Sequence, residues 1–400
     1  MPLKIGLITG EYPPMEGGVG AFTQELAKAL AQLGHDVHII TSRQARPAIT
    51  ERKISDLLQP VELGFARLHP VVRHWRWPSL AAVADVVLRY ELEAVNIQYQ
   101  AAAFHMRSPA PNFLPWRLKG MVKTAVTFHD LRTPYLFPKA GQLRHKIIQF
   151  MARQAHGCIV TNEADYQSLL SSLHAPVSKI PIGSNITTYK PTSEETAVIR
   201  QTLNLHEGDG LLGYFGFLND SKGADTLLQA LAQLGSHVHL VFIGGQTGSS
   251  DGDNNTTFLD GLKQLVADLG LEQRVHWTGF MPEQQVSTYL HTADLMVMPY
   301  RDGVSLRRGT LMAVLAHGRP LITTTPTTPT PELVHGQNCW LVPANDVGAL
   351  APAIEQLLAA PARRQSLGQG AAQLADLFTW DKIARETAIF YQQLLTNDAP

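Results

Sequence analysis

Three short stretches of this 400-residue chain combine glycine with groups that can hold an anion. Gly17-Gly18-Val19-Gly20 lies directly ahead of a helical pattern, where amides free of Cβ atoms can approach a negative group at a helix N-terminus. Gly216-Phe217-Leu218-Asn219-Asp220-Ser221-Lys222-Gly223 sets Lys222 at the start of a second helical pattern. Arg301-Asp302-Gly303-Val304-Ser305-Leu306-Arg307-Arg308-Gly309 brings amides, a carboxylate and guanidinium groups to the start of a third. Arginines there oppose the positive end of the helix dipole. That placement implies either an anion among them or a salt-bridged contact. A surface lysine and ordinary glycine turns are the competing readings of the first two loops. Taken together, the three loops predict a nucleoside diphosphate held in a cleft.

The elements that must position these loops repeat. Ala-Leu-Ala-Gln-Leu-Gly, two residues, Val-His and two apolar residues run from Ala29 to Ile40 and again from Ala230 to Val241. Leu26, Leu30 and Leu33 fall at helical spacing in the first copy, as do Leu227, Leu231 and Leu234 in the second. Gly34 and Gly235 are expected to end each helix in the left-handed region. Each half then holds a loop–helix–strand unit of a doubly wound parallel sheet. Strands are expected at Lys4–Thr9, Val37–Thr41, Val95–Ile97, Thr124–Phe128, Cys158–Thr161 and Lys179–Ile182. In the second half they are expected at Leu211–Phe215, Val238–Ile243, Val275–Trp277, Leu295–Met298 and Pro320–Thr323. Arg43 to Pro78 reads as irregular and Gly244 to Thr257 as a surface loop. Lys190-Pro191-Thr192-Ser193 reads as an interdomain linker, and Asp346 as the N-cap of a helix through Leu358. Trp380 to Leu395 is a terminal helix with no strand after it.

Composition excludes several classes. Net charge is −1, which gives no footprint for nucleic acid. Cys158 and Cys339 stand far apart with no zinc spacing, and the sixteen histidines include no HExxH pair, so no metal site is expected. His237 and His239 read as a strand end. The N-terminus lacks a basic region followed by a long apolar run, and no segment reaches the ~18 apolar residues of a membrane span. A cytoplasmic protein is expected. Arg67 to Trp77 mixes cations with indoles, either as a solvated loop or as a peripheral contact at the inner membrane face.

The motifs resemble those of the group-one (family-four) glycosyltransferases of the GT-B fold. The resemblance spans nearly the whole chain. EYPPMEGGVGAFTQELAKALAQLGHDVHIIT (11–41) is similar to the family's N-terminal signature, and YFGFLNDSKGADTLLQAL (214–231) to its phosphate-binding strand, loop and helix. VHWTGFMPEQQVSTYLHTADLMVMPY (275–300) resembles the base-binding strand and helix, and PELVHGQNCWLVPANDVGAL (331–350) the late Pro-Glu…Asp run. FTWDKIARETAIFYQQLL (378–395) resembles the helix that returns to the first domain. The fold so implied has two Rossmann-like doubly wound domains facing a cleft. Residues 1–188 form the acceptor side, 189–376 the nucleotide-sugar side, and 377–400 the returning helix.

The resemblance further implies a retaining hexosyl transfer from UDP- or GDP-sugar to a glycan or lipid-linked acceptor, without metal or cofactor. Catalytic roles fall on His129 in Thr127-Phe128-His129-Asp130, on Lys222 and on Asp302. Donor contacts fall on Gly17, Gly18, Gly20, Gly216, Lys222, Gly279, Phe280, Asp302, Gly303, Val304, Ser305, Leu306, Arg307 and Arg308. Two departures stand out. Phe217 occupies the place of a diphosphate-binding arginine, so Arg307 or Arg308 is expected to replace it. The usual glutamate pair is absent: Asp302 stands for the first, and the second falls on Thr310 or Ala313. That absence keeps a non-catalytic nucleotide-sugar-binding or partner-binding protein as the alternative. A sugar-nucleotide epimerase of the same fold is a third reading.

Overall fold

The computed structural model describes residues 2–15, 17–45, 59–104, 106, 108–131, 143–244 and 252–396. The chain forms two compact units, Met1–Ile182 with Trp380–Pro400, and Gly183–Thr379.

The first unit is built on eight strands: β1 (Lys4–Thr9), β2 (Asp36–Ser42), β3 (Val61–Glu62), β4 (Arg67–Val72), β5 (Ala94–Tyr99), β6 (Lys123–Phe128), β7 (Gly157–Val160) and β8 (Val177–Lys179). Their order is β3-β4-β2-β1-β5-β6-β7-β8, parallel except for the β3–β4 pair. Chain order runs outward in opposite directions from β1 and from β5, so the switch point lies between them, under the loop after β1. Period-two alternation sends Ile8, Ile40, Val95, Ile97, Val126 and Phe128 to one face. There they form one core with the helices Trp77–Arg89, Leu114–Leu118 and Leu143–Gln154. The helices Gly18–Gln32 and Trp380–Thr396 contribute nothing to that core and cover the other face. Asn96, of opposite parity in β5, donates to the Tyr391 hydroxyl at 2.7 Å and accepts from the Thr127 amide at 3.1 Å and hydroxyl at 3.0 Å. A buried, fully paired amide of this kind fixes the terminal helix in one register. Gly157 on β7 lies where a Cβ would meet Phe390 at 2.7 Å and Leu394 at 2.8 Å, which explains the close seat of that helix.

The second unit holds β9 (Gly210–Phe215), β10 (Val238–Ile243), β11 (Val275–Trp277), β12 (Leu295–Met298), β13 (Leu321–Thr324) and β14 (Trp340–Val342). All are parallel, in the order β11-β10-β9-β12-β13-β14. The switch point falls between β9 and β12. Leu227, Leu228 and Leu231 of the helix Ala224–Gln233 pack with Leu350, Ile354 and Leu357 of the helix Val347–Leu358 in one core. Asp346 caps the latter by accepting from the Ala349 amide at 2.9 Å.

Several elements differ from the sequence expectation. Gly34 ends its helix at φ +88°, but Gly235 is not left-handed, and its helix stops at an extended Leu234. The last strand of the first unit is Val177–Lys179 rather than 179–182. Arg43–Pro78 contains β3 and β4, which are obscured in the sequence by Pro70 and by the polar residues Arg67 and His69. The segment read as a loop to Thr257 is helical from Gly252, while 245–251 lie outside the described residues. β14 is too short to show a period. Thr192 caps the helix Ser193–Thr202, so the polar stretch read as a linker opens a helix of the second unit.

The repeated Val-His places one histidine on the second strand of each sheet, and each stacks on a histidine of the outer neighbour. His38 Nδ1 lies 2.9 Å from His69 Nε2, and His239 Nδ1 lies 3.4 Å from His276 Nε2. Among the described residues no cluster of three or more His, Cys, Asp or Glu is placed to hold a metal. Cys158 and Cys339 are free, fully buried thiols, pushed up to about 12 by burial.

Candidate active site

The loops that leave β9 and β12 meet beside the switch point of the second unit. Gly223 has φ +67°, and a Cβ there would collide with the Pro299 carbonyl oxygen after β12. Gly303, at φ +78°, leaves room for the Thr325 carbonyl and Thr327 amide, each 2.8 Å from where a Cβ would sit. Arg301 joins the two loops by pairing with Asp220 at 2.7 Å and with Asp225, and its amide donates to the Ser221 carbonyl at 2.9 Å. Gly223→Ala should therefore cost ~3 kcal/mol or more, from steric overlap and left-handed strain together. Chemical denaturation would measure this, and a loss below ~1 kcal/mol would show that the loops can part without penalty.

Lys222 closes the short turn Asp220–Lys222 ahead of the helix Ala224–Gln233. Its ammonium makes no ion pair or hydrogen bond with any described residue and lies 5.9 Å from the centroid of the Phe217 ring. A Cβ on Gly216 would sit 3.4 Å from Lys222 Nζ and 2.8 Å from Thr310 Cγ2. The cation thus lies next to the first turn of the helix Gly309–Ala316. Burial, with the Arg308 guanidinium nearby, holds Lys222 down at about 8.

That helix begins with unsatisfied donors. Among the described residues, the amides of Val304, Ser305, Leu306, Gly309 and Thr310 find no acceptor within the chain. Arg308, at the N-cap position, pairs with Asp302 and lies 3.9 Å above the Tyr300 ring, while its buried Nε is left without an acceptor. Arg307 is exposed, with its Nε 3.3 Å from Ser305 Oγ. The inner arginine, 308, is therefore the one adjoining Lys222, and Asp302 offsets part of its charge. Thr310 stands at the mouth of the site, its Oγ1 3.5 Å from the Tyr300 hydroxyl, whereas Ala313 is fully buried. Of the two candidate places for the second carboxylate, only Thr310 belongs to the site. Gly279 pairs with Gly244 at the end of β10, and Gly244 lies against Phe215 and Gly216. The Gly279–Phe280 turn therefore shares this edge of the sheet, with Phe280 75% exposed.

The glycine loop of the first unit is arranged differently from the expectation of an open anion cradle. Glu11 Oε1 already accepts from the Val19 amide at 3.0 Å and the Gly20 amide at 3.2 Å. A Cβ on Gly17 would collide with this carboxylate, while Gly18 faces open space. The anion at this helix N-terminus is thus the protein's own. Burial raises the Glu11 carboxyl, and the two amides oppose that rise. Composition gave no hint of this role, and only the position of Glu11 in the 11–41 signature set it apart.

His129 follows β6. Its amide donates to the Tyr99 carbonyl at 3.0 Å, its Nε2 lies 3.1 Å from Gln98 Oε1, and its ring meets Phe22 edge-on at 4.7 Å. Burial pushes it down to about 4, so near neutrality it is an uncharged hydrogen-bonding group. Among the fourteen candidate donor contacts, the structure gathers Gly216, Lys222, Gly279, Phe280 and 302–308 at one sheet edge. Gly17, Gly18, Gly20 and His129 belong to the other unit.

Residues 209–360 match the family described as Glycosyl transferases group 1, and residues 16–186 match Glycosyltransferase Family 4. The D-inositol 3-phosphate glycosyltransferase of Corynebacterium aurimucosum is 23% identical over 425 residues, covering 100% of this chain and 98% of that protein. The protein of the same name from Thermobispora bispora is 24% identical, covering 95% and 90%. Among solved structures, sucrose-phosphate synthase from Thermosynechococcus elongatus superposes with a TM-score of 0.75 at 22% identity, covering 98% of each chain. Anabaena HepE in complex with UDP and glucose superposes at 0.74 and 17% identity, covering 98% of this chain and 99% of that one. With both halves matched and the two parallel-sheet units in place, the chain belongs to the group 1 glycosyltransferases of the GT-B fold, enzymes that draw on nucleotide sugars.

Proposed function

We propose that the protein transfers a hexosyl group from a nucleoside-diphosphate sugar to an acceptor hydroxyl, with retention of configuration and without a metal ion. The observation that carries this reading is Lys222, a cation with no carboxylate partner among the described residues, next to helix N-terminal amides for which those residues supply no acceptor. Breaking the sugar–phosphate bond gathers negative charge on the distal phosphate. Donors fixed before that charge develops stabilise the transition state at little reorganisation cost. Lys222, the 304–306 amides and Arg308 supply the positive potential that a divalent cation gives elsewhere. Asp302 keeps Arg308 oriented and offers a carboxylate to a sugar hydroxyl. His129, neutral at working pH, would bond the sugar or its surroundings.

Retention is carried by the family resemblance, and the anomer of the product tests it. We place the acceptor in the glycan or lipid-linked class, met at a peripheral membrane contact. The curated relatives' name favours a second reading, a phosphorylated cyclitol as acceptor.

Calorimetric titration with UDP, GDP and ADP in the presence of EDTA tests the donor site. Saturable binding of one nucleotide is expected, weakened at least ~30-fold in the Arg307→Ala/Arg308→Ala variant, since a charged hydrogen bond contributes about 2 kcal/mol or more. No binding of any nucleotide would move the protein to the non-catalytic alternative. Binding that needs a divalent ion would overturn metal independence.

A further inference from the structure

Charge is not spread evenly along the chain. Between Ala94 and Asn162 there are nine Lys and Arg residues and one acid, Asp130, in a chain whose net charge is −1. Val83 closes a second run, begun at Leu63, with three arginines and no acid. Of these residues, Arg76, Arg117, Lys119 and Lys146 lie on or next to the helices Trp77–Arg89, Leu114–Leu118 and Leu143–Gln154, whose inner sides pack on the first unit's sheet. The acid of the first of these helices, Asp85, is paired with Arg89, and Arg67 is paired with Asp36 and Glu62 on the sheet. By contrast, the helices on the other face carry three acids and three bases.

The same three helices expose indoles. Trp77 is 54% and Trp116 53% exposed, although a tryptophan normally hides most of its surface. Trp77 contacts Phe113 at 5.0 Å and Phe113 contacts Phe150 at 4.8 Å, while Trp116 lies three residues after Phe113, in the helix Leu114–Leu118. Among the described residues none of Arg76, Arg117, Lys119 and Lys146 has a carboxylate partner.

From this juxtaposition we infer that the outer face of these three helices docks on an anionic lipid bilayer, with Trp77 and Trp116 at headgroup depth. Indoles settle at that depth because one ring presents an apolar body and a polar N–H. Each basic residue held near the surface adds about five-fold to partitioning on anionic lipid, an attraction that salt screens. Nucleic acid also meets cations and indoles together, so comparison with heparin separates a polyanion from a bilayer. Among the described residues no helix is long and apolar enough to cross a membrane, so the contact is interfacial. The inference supplies the surface for the membrane contact proposed above and rests on exposed residues outside the donor site.

Co-sedimentation of the full chain with lipid vesicles tests it. Binding is expected to vesicles of phosphatidylcholine with phosphatidylglycerol, to weaken as salt is raised, and to be absent with phosphatidylcholine alone. Trp77→Ser/Trp116→Ser should weaken vesicle binding by about ten-fold or more, while nucleotide titration of the same preparation is unchanged and certifies its fold. No binding to anionic vesicles at low salt overturns the inference. So does an undiminished double variant, or heparin binding that equals vesicle binding and ignores the tryptophans. Loss of nucleotide binding with vesicle binding intact would instead sink the donor-site reading and leave this one standing.

Discussion

Replacing Lys222 with alanine should lower sugar transfer by ~10²–10³-fold, the usual cost of removing one preorganised donor from a developing oxyanion. The expectation follows from what surrounds the ammonium. No described residue neutralises it, Phe217 gives it only a ring face, and its nearest charged neighbour, Arg308, is of the same sign. Burial and repulsion from Arg308 disfavour the ammonium and hold it at about 8 instead of its ordinary 10.5, and an incoming diphosphate would offset both by pairing with the cation. The sign of the pH dependence is then set. Below about pH 8 the free enzyme holds the cation and binds donor. Above it, kcat/KM should fall by up to ~ten-fold per unit as the proton leaves. Lys222→Arg keeps a charge that does not titrate in this range, so it should retain part of the activity and lose the alkaline limb. Rates of donor turnover across pH 6–10 check both points. An alanine variant within ~ten-fold of the parent, or an unchanged limb in the arginine variant, would remove Lys222 from the reacting centre.

Acid should unfold the first unit through its buried histidine pair. Arg67 can only donate, and its guanidinium lies 3.2 Å from His38 Nε2, so that nitrogen accepts. His38 Nδ1–H is then left to donate to His69 Nε2 across 2.9 Å. Both rings are essentially inaccessible and Tyr90 closes over both, at 4.9 and 4.6 Å between ring centres. The chain Arg67–His38–His69 is complete only with neutral rings. Burial, followed by the neighbouring His38, Arg67 and Arg89, pushes His69 down to about 3. Burial also lowers His38 despite Asp36. An unfolded histidine takes up its proton near pH 6.5. Stability is therefore fully present above about pH 6.5 and is lost as pH falls from there toward 3, because the unfolded chain binds more protons. For His69 alone the slope approaches ~1.4 kcal/mol per pH unit, or ~2 kcal/mol between pH 6.5 and 5. Urea midpoints at pH 7 and 5 measure it. His38→Phe/His69→Phe replaces both rings with apolar ones and should flatten the dependence. Parallel slopes for parent and variant would place the acid lability elsewhere.

Much of this architecture was legible in the residues. β1, β10 and β12 have the expected bounds because each is a mainly apolar run of strand length whose flanks are polar or turn-forming. Asp346 as a cap and Trp380 as the start of the last helix were equally plain, since capping and helical periodicity act within one or two turns. β3 and β4 escaped because their polar residues serve a neighbour 31 positions away: His69 is buried against His38, and nothing in the local pattern records it. Gly235 misled for the converse reason, a glycine after a leucine stripe that was not needed for a left-handed turn.

Two parallel-sheet halves, the three glycine-bearing loops and the chemistry they offer follow from the residues in order, because strand periodicity, helix starts and loop composition are local properties. Tertiary structure alone decided how that chemistry is apportioned. It gave the first loop's amides to Glu11, turned Arg308 onto Asp302 and Tyr300, left Lys222 without a counter-charge among the described residues, and put Thr310 rather than Ala313 beside that lysine. It also set basic residues from two separated runs on or next to the helices that expose Trp77 and Trp116. The reason is physical. A charge or an amide acts according to which partners reach it within a few ångströms, and those partners are chosen by packing across the sheet rather than by order along the chain.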